Sequence, residues 1–178
     1  MNYYIADLHL GHSRIIGLDG RPFADVDEMD RVLMGNWNRK VGPDDDVYIL
    51  GDFCYRAKKN PAWYLQRLSG KKHLIQGNHD SHLINNPEAM GFIESVDKML
   101  LVKDQGERIV LCHFPIAQWN GFFRGAWHIY GHIHQKKDCT SEYMESLPRA
   151  LNAGCMLHNY EPVSFKELVL QCGKEMVL

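Results

Sequence analysis

The residues best suited to chemistry fall into five short groups: Asp7-Leu8-His9, Gly51-Asp52, Gly77-Asn78-His79-Asp80, the single His113, and Gly131-His132-Ile133-His134. Carboxylate and imidazole together suit Mn, Fe, Zn, Co or Ni better than an all-oxygen magnesium or calcium cage. An imidazole left over from metal binding can move protons near neutral pH. In a chain of this composition Asp-x-His arises by chance about 0.7 times, Gly-His-x-His about 0.05 times and Gly-Asn-His-Asp about 0.003 times. The last two therefore carry the signal, and the order of all five strengthens it. They also account for an oddity of composition, ten histidines against eight Tyr and seven Phe.

Each group follows a short apolar run. The runs at 3–6, 47–50, 73–76, 109–112 and 128–130, with a sixth at 150–153, are bounded by Gly, Asp or Pro and read as buried strands. In open α/β sheets ligand sites collect where loops converge at the carboxyl ends of strands. Side chains spread from position 7 to 134 can thus meet at one point. Asp25, with Glu28 three residues on, starts a helix in which Val26, Met29, Leu33 and Trp37 recur at helical spacing, until Gly42-Pro43 stops it. Asn60-Pro61 opens a second helix running to Gly70. Strands alternating with helices predict βαβ units in the first eighty residues. Further on, Asp104-Gln105-Gly106-Glu107 predicts an antiparallel hairpin between 99–102 and 109–112. A last helix starts at Ser164, capped by Glu167. The stretch 115–126, with Trp119, Phe122 and Phe123, fits no period and reads as a loop over the site or as irregular core.

The chain has 178 residues, which favours one domain over 1–178. Its 20 Lys+Arg against 22 Asp+Glu leave a net charge of −2. That balance carries no strong sign of nucleic-acid binding, which usually shows as a basic domain. Cys54, Cys112, Cys139, Cys155 and Cys172 form no CxxC pair, poor material for a disulfide framework or a thiolate zinc site. The first residues lack a basic stretch followed by an apolar one, and no apolar run approaches a membrane span, so the expectation is a cytoplasmic protein with no membrane partner.

These groups resemble the calcineurin-like metallophosphoesterase superfamily, whose pattern is D-x-H, G-D, G-N-H-D/E, H, then G-H-x-H; every element is present, over residues 3 to about 155. Ala6-Asp7-Leu8-His9-Leu10-Gly11-His12 with Arg21-Pro22-Phe23 is similar to a small single-domain subgroup of bacteria and phages. The resemblance implies an α/β (α+β) fold, a four-layer αββα sandwich of the metallo-dependent phosphatase type. It also implies two divalent transition metal ions, Mn foremost, with Fe, Zn, Ni or Co as alternatives. One ion would take Asp7, His9 and His134, the other Asn78, His113 and His132, with Asp52 bridging them. Two such ions raise the acidity of a shared water enough for in-line attack on phosphorus. Four positive charges less the two aspartates and one hydroxide leave about +1, attractive to an anionic phosphoryl group.

His79, set between Asn78 and Asp80, is the candidate general acid, with Asp80 orienting its ring and favouring the imidazolium. His12, Arg14 and Asn78 are candidate substrate contacts, and Arg21, Arg56 and Arg124 could also meet phosphate. Asn152 and Gly154 read as support beneath the site, while His73, His82, His128 and His158 read as structural. The expected activity is hydrolysis of a small-molecule or nucleotide-type phosphodiester. Phosphomonoester hydrolysis by the same mechanism is the alternative, and a catalytically silent interaction scaffold is a third reading, since fold alone does not fix function.

Overall fold

The computed structural model describes residues 1–175. In chain order these form β1 (Asn2–Ile5), α1 (Ser13–Asp19), α2 (Val26–Lys40), β2 (Asp46–Ile49), α3 (Pro61–Leu65), β3 (Lys71–Ile75), α4 (Ser81–Ile84), α5 (Pro87–Met90), β4 (Ser95–Asp97), β5 (Met99–Asp104), β6 (Glu107–Cys112), β7 (Trp127–Tyr130), α6 (Cys139–Ser146), β8 (Ala150–Asn152), β9 (Val163–Ser164) and α7 (Phe165–Gln171). The last three residues of the 1–178 span lie outside the described residues.

Two sheets result. The first has the order β4-β3-β2-β1-β9, and the second β5-β6-β7-β8. Within the first, β1 to β4 run parallel, with Tyr3 beside Val47 and Val47 beside Lys72, while β9 is antiparallel to β1. Within the second, β5 and β6 form the expected hairpin and β6, β7 and β8 run parallel. The hairpin closes through Gln105 and Gly106, both at positive φ (50° and 86°), the handedness a two-residue turn requires between twisted strands.

Alternation along the strands builds the layers. Tyr4, Leu50, Ile75 and Val163 face Ile109, Leu111, Ile129 and Leu151 across the gap between the sheets. On the outer face of the first sheet, Tyr3, Ile5, Val47, Ile49 and Leu74 meet Met29, Leu33 and Trp37 of α2 and Ala62, Tyr64 and Leu65 of α3. On the outer face of the second, Val110 and Tyr130 meet Trp119 and Met144. The four-layer αββα sandwich expected from the sequence is the observed architecture.

Local chemistry explains the individual elements. Asp25 accepts the Glu28 N–H at 2.8 Å and Glu28 Oε2 accepts the Ala24 N–H at 2.6 Å, a reciprocal cap worth about 1 kcal/mol. Ser164 and Glu167 form the capping box of α7. The second helix is shorter than expected: α3 ends at Leu65 and the chain reaches Gly70 through turns. The 115–126 stretch is irregular apart from a 3-10 turn at Phe122–Arg124, and it buries Trp119, whose Nε1–H donates to the Ala126 carbonyl at 2.8 Å. The sequence reading missed α1, α4, α5, α6, β4 and β9. Among the described residues no helix is long and apolar enough to cross a membrane.

Candidate metal centre

The carboxyl ends of β1, β2, β3, β6 and β7 meet at one end of the sandwich, and the five polar groups leave from there. The backbone turns sharply as it leaves. Asp7, His9, Asp52, His132 and His134 all have positive φ, between 51° and 71°, and make up five of the nine non-glycine residues in that region among the described residues. Each such residue costs about 1–3 kcal/mol and persists only where its surroundings impose it, which is why such residues gather at functional sites. Gly51 is also at positive φ (80°), and a Cβ there would overlap the His113 ring and lie 2.7 Å from the Gly77 Cα. A side chain at Gly51 would therefore push apart two of the converging loops.

Two overlapping groups of donors result. Asp7, His9 and His134 offer atoms all within 4.8 Å of one another, and so do Asp7, Asp52 and His113. Asp52 Oδ1 accepts the His79 N–H at 2.9 Å. Its Oδ2 lies 3.6 Å from His9 Nε2 and 3.7 Å from His113 Nε2, between the two groups. The Asn78 side-chain Oδ1 is 3.1 Å from His113 Nε2. His132 stands apart from both groups: its ring packs edge-on against His113 at 5.1 Å, while its backbone N–H is held by the Asp7 carboxylate at 2.9 Å. Asp7 thus belongs to both groups.

The donors are aimed. His113 Nδ1 donates to the Leu50 carbonyl at 2.8 Å, and His134 Nδ1 bonds Asp19 at 2.7 Å, which turns both Nε2 atoms toward the centre. Fixing one ring nitrogen in this way orients the other for a metal. His9 Nε2 lies 3.3 Å from His134 Nε2, and His9 Nδ1 is buried without a hydrogen-bond partner among the described residues. Burial, then the neighbouring His134 and Arg21, pushes the His9 pKa down to about 2, so it stays neutral and free to donate an electron pair. Burial raises Asp7 to about 6 against the pull of His134 and His113. Two buried carboxylates stand among the imidazoles of His9, His113 and His134, and divalent ions fit this donor set.

Several expected roles are corrected. Asp80 does not orient the His79 ring. Its carboxylate accepts the N–H groups of Asp52 at 2.9 Å, Phe53 at 2.9 Å and Gly77 at 2.7 Å, so it clamps the loop after β2 to the loop after β3. The half-buried His79 ring packs instead on Tyr55, with centroids 4.1 Å apart, and stands 5.7 Å from the His9 ring. Arg21 does not reach outward to substrate. It is 4% exposed and donates to the carbonyls of Asp7 and Leu8 at 2.8 and 2.9 Å and to Asp19 at 3.1 Å. His12 is buried edge-on against Tyr55, while Arg14, Arg56 and Arg124 are exposed, Arg124 on the 3-10 turn at Phe122–Arg124.

The support expected of Asn152 is present: its amide donates to the His134 carbonyl at 3.0 Å and accepts the Gly154 N–H at 2.9 Å. Beside it Ala6 donates to the Ala153 carbonyl at 2.8 Å and accepts the Cys155 N–H at 2.9 Å, tying the end of β1 to the end of β8. Sequence reasoning missed Asp19, which braces His134, and Tyr55. Neither stands in a recurring motif, although Asp19 lies two residues before an arginine already noted.

No family model matches the chain. The uncharacterized protein MJ1445 of Methanocaldococcus jannaschii is 32% identical, over 99% of this chain and 93% of that one. The crystal structure of a protein of unknown function, AQ665 from Aquifex aeolicus, superposes with a TM-score of 0.73 at 25% identity, over 94% of this chain and 96% of that one. A looser match is the Pseudomonas putida nuclease MPE, with a TM-score of 0.44 and 22% identity over 75% of this chain and 60% of that one.

Proposed function

We propose that the chain is a calcineurin-like metallophosphoesterase, a metal-dependent phosphoric ester hydrolase. The observation that carries this reading is the pair of donor groups sharing Asp7, with Asp52 Oδ2 between them. Asp7, His9 and His134 would hold one ion and Asp52 and His113 the second, with Asn78 and His132 completing it. Bound there, the ions would neutralise phosphoryl charge and raise the acidity of a water.

The protein's own groups supply the rest. Asp52, anchored by the His79 N–H, keeps its second oxygen directed inward. Leu50 and Asp19 hold the tautomers of His113 and His134. The His79 imidazole, held against Tyr55, protonates the leaving oxygen. A small or nucleotide-type phosphodiester is the preferred substrate, and Mn the preferred metal.

Purified protein loaded with Mn should hold about two ions per chain and hydrolyse bis-p-nitrophenyl phosphate. Asp52→Asn should lose turnover and metal together, and His79→Ala should keep its metal while slowing esters with poor leaving groups most. Full activity in thoroughly chelated protein would sink the reading.

A further inference from the structure

Beside the candidate metal centre, on the His132 side, a cleft of about 430 Å³ is lined by Phe114, Pro115, His132, Ile133, Lys136, Asp138 and Thr140. Its most unusual wall is Phe114. Cys112 and His113 before it are 7% and 0% exposed, yet Phe114 is 44% exposed, a large apolar ring open to solvent one residue from a candidate ligand. The ring is not loose. His113 packs against it edge-on at 5.0 Å and His132 at 4.7 Å, so two imidazoles of the centre fix its plane.

The polar groups of the cleft are sorted in a similar way. Asp138 caps α6, with its Oδ1 taken by the N–H groups of Thr140 and Ser141 at 3.0 Å each. The Lys136 ammonium and the Thr140 hydroxyl remain at the exposed rim. A rigid aromatic face, apolar side walls from Pro115 and Ile133, and a few donors at the edge suit a planar heteroaromatic ring with a polar periphery. The volume is large enough for a nucleobase.

We propose that this cleft is a nucleobase subsite, in which Phe114 is the stacking platform and Lys136 and Thr140 meet the polar edge of the base. The inference rests on the phosphoesterase reading, because it places the phosphate of the same ligand at the metal centre. It makes the substrate a nucleotide, and Phe114 a residue that sets specificity without touching the reacting phosphorus.

Calorimetry on Mn-loaded protein tests this with two probes, adenosine 5′-monophosphate and ribose 5-phosphate, which share the sugar phosphate and differ by the base. The nucleotide should bind about tenfold more tightly, the usual scale for stacking a base on an aromatic side chain. Phe114→Ala should erase that preference while leaving ribose 5-phosphate within about twofold, and Phe114→Tyr should restore it. Equal affinities in the unmodified protein, or a preference that survives Phe114→Ala, would overturn the subsite. So would an equal loss for both probes, since Phe114 would then act by supporting His113 and His132. Turnover of methyl p-nitrophenyl phosphate by the same preparation reads the hydrolase separately. Turnover without base preference overturns the subsite alone, whereas base preference without turnover supports the subsite and overturns the hydrolase.

Discussion

Three backbone N–H groups, from Asp52, Phe53 and Gly77, converge on the buried carboxylate of Asp80. None bonds another acceptor among the described residues, and a buried donor left unsatisfied costs about 1–3 kcal/mol. Asp80→Ala should therefore lose at least about 3 kcal/mol in urea unfolding and bind metal poorly even where it folds, whereas Asp80→Asn, which keeps an acceptor oxygen, should lose less. A variant as stable as the unmodified protein would remove the clamp from the account. The candidate ligands were legible in the sequence because metal chemistry restricts the donor types and their spacing leaves a pattern. Asp80 stood in the pattern too, but its partners are main-chain atoms that sequence does not display. The brace Asp19 left no pattern, for a carboxylate two residues from a guanidinium is common on any surface, and Arg21, though part of Arg21-Pro22-Phe23, gave no sign that it turns inward.

Among the elements, β7 carries a histidine of another kind. His128 is fully buried, its Nδ1 donating to the Val110 carbonyl at 3.0 Å while its Nε2 accepts the Ile116 N–H at 3.2 Å. Burial lowers its pKa to about 4, against the raising effect of the backbone at Val110 and Phe114. In the unfolded chain the same imidazole takes a proton near its ordinary value of about 6.5. Stability from this group is present above about pH 6.5 and is lost as the pH falls, by about 2 kcal/mol at pH 5. In the metal-free protein, His128→Asn should flatten the fall in thermal midpoint between about pH 7 and about pH 5; an unchanged slope would place acid sensitivity elsewhere. Elements with two signals, such as α2 with both a cap and an apolar stripe, were readable in the sequence. Short ones were not: β9 has two residues and β4 three, all half-buried in β4, so no alternation can show. α6 buries only Ser141 and Met144.

At the scale of the whole molecule, the candidate centre takes its donors from both sheets, Asp7 and Asp52 from the first and His113 and His134 from the second. A metal bound there would oppose separation of the layers. It would stabilise the folded protein by about 2.7 kcal/mol at a hundred times its dissociation constant. Chelation should thus lower the thermal midpoint of the protein, and Asp52→Asn should blunt that response; a midpoint indifferent to chelator would argue against metal at this seam. The layered architecture was legible as a class, because buried runs ending in ligand-type residues imply sheets with one functional end. The sharing of Asp7 between two groups was not, since it depends on how far β1 and β2 carry their side chains across the seam. One consequence concerns how such chains are recognised. Every donor lies at or before His134, yet some of the hydrogen bonds that hold the end of β1 and His134 in place come from Asn152, Ala153 and Cys155. A shortened relative ending soon after its own G-H-x-H would satisfy a motif search in full and still lack the bonds that tie the end of its first strand and the backbone of its last histidine to the strand that follows.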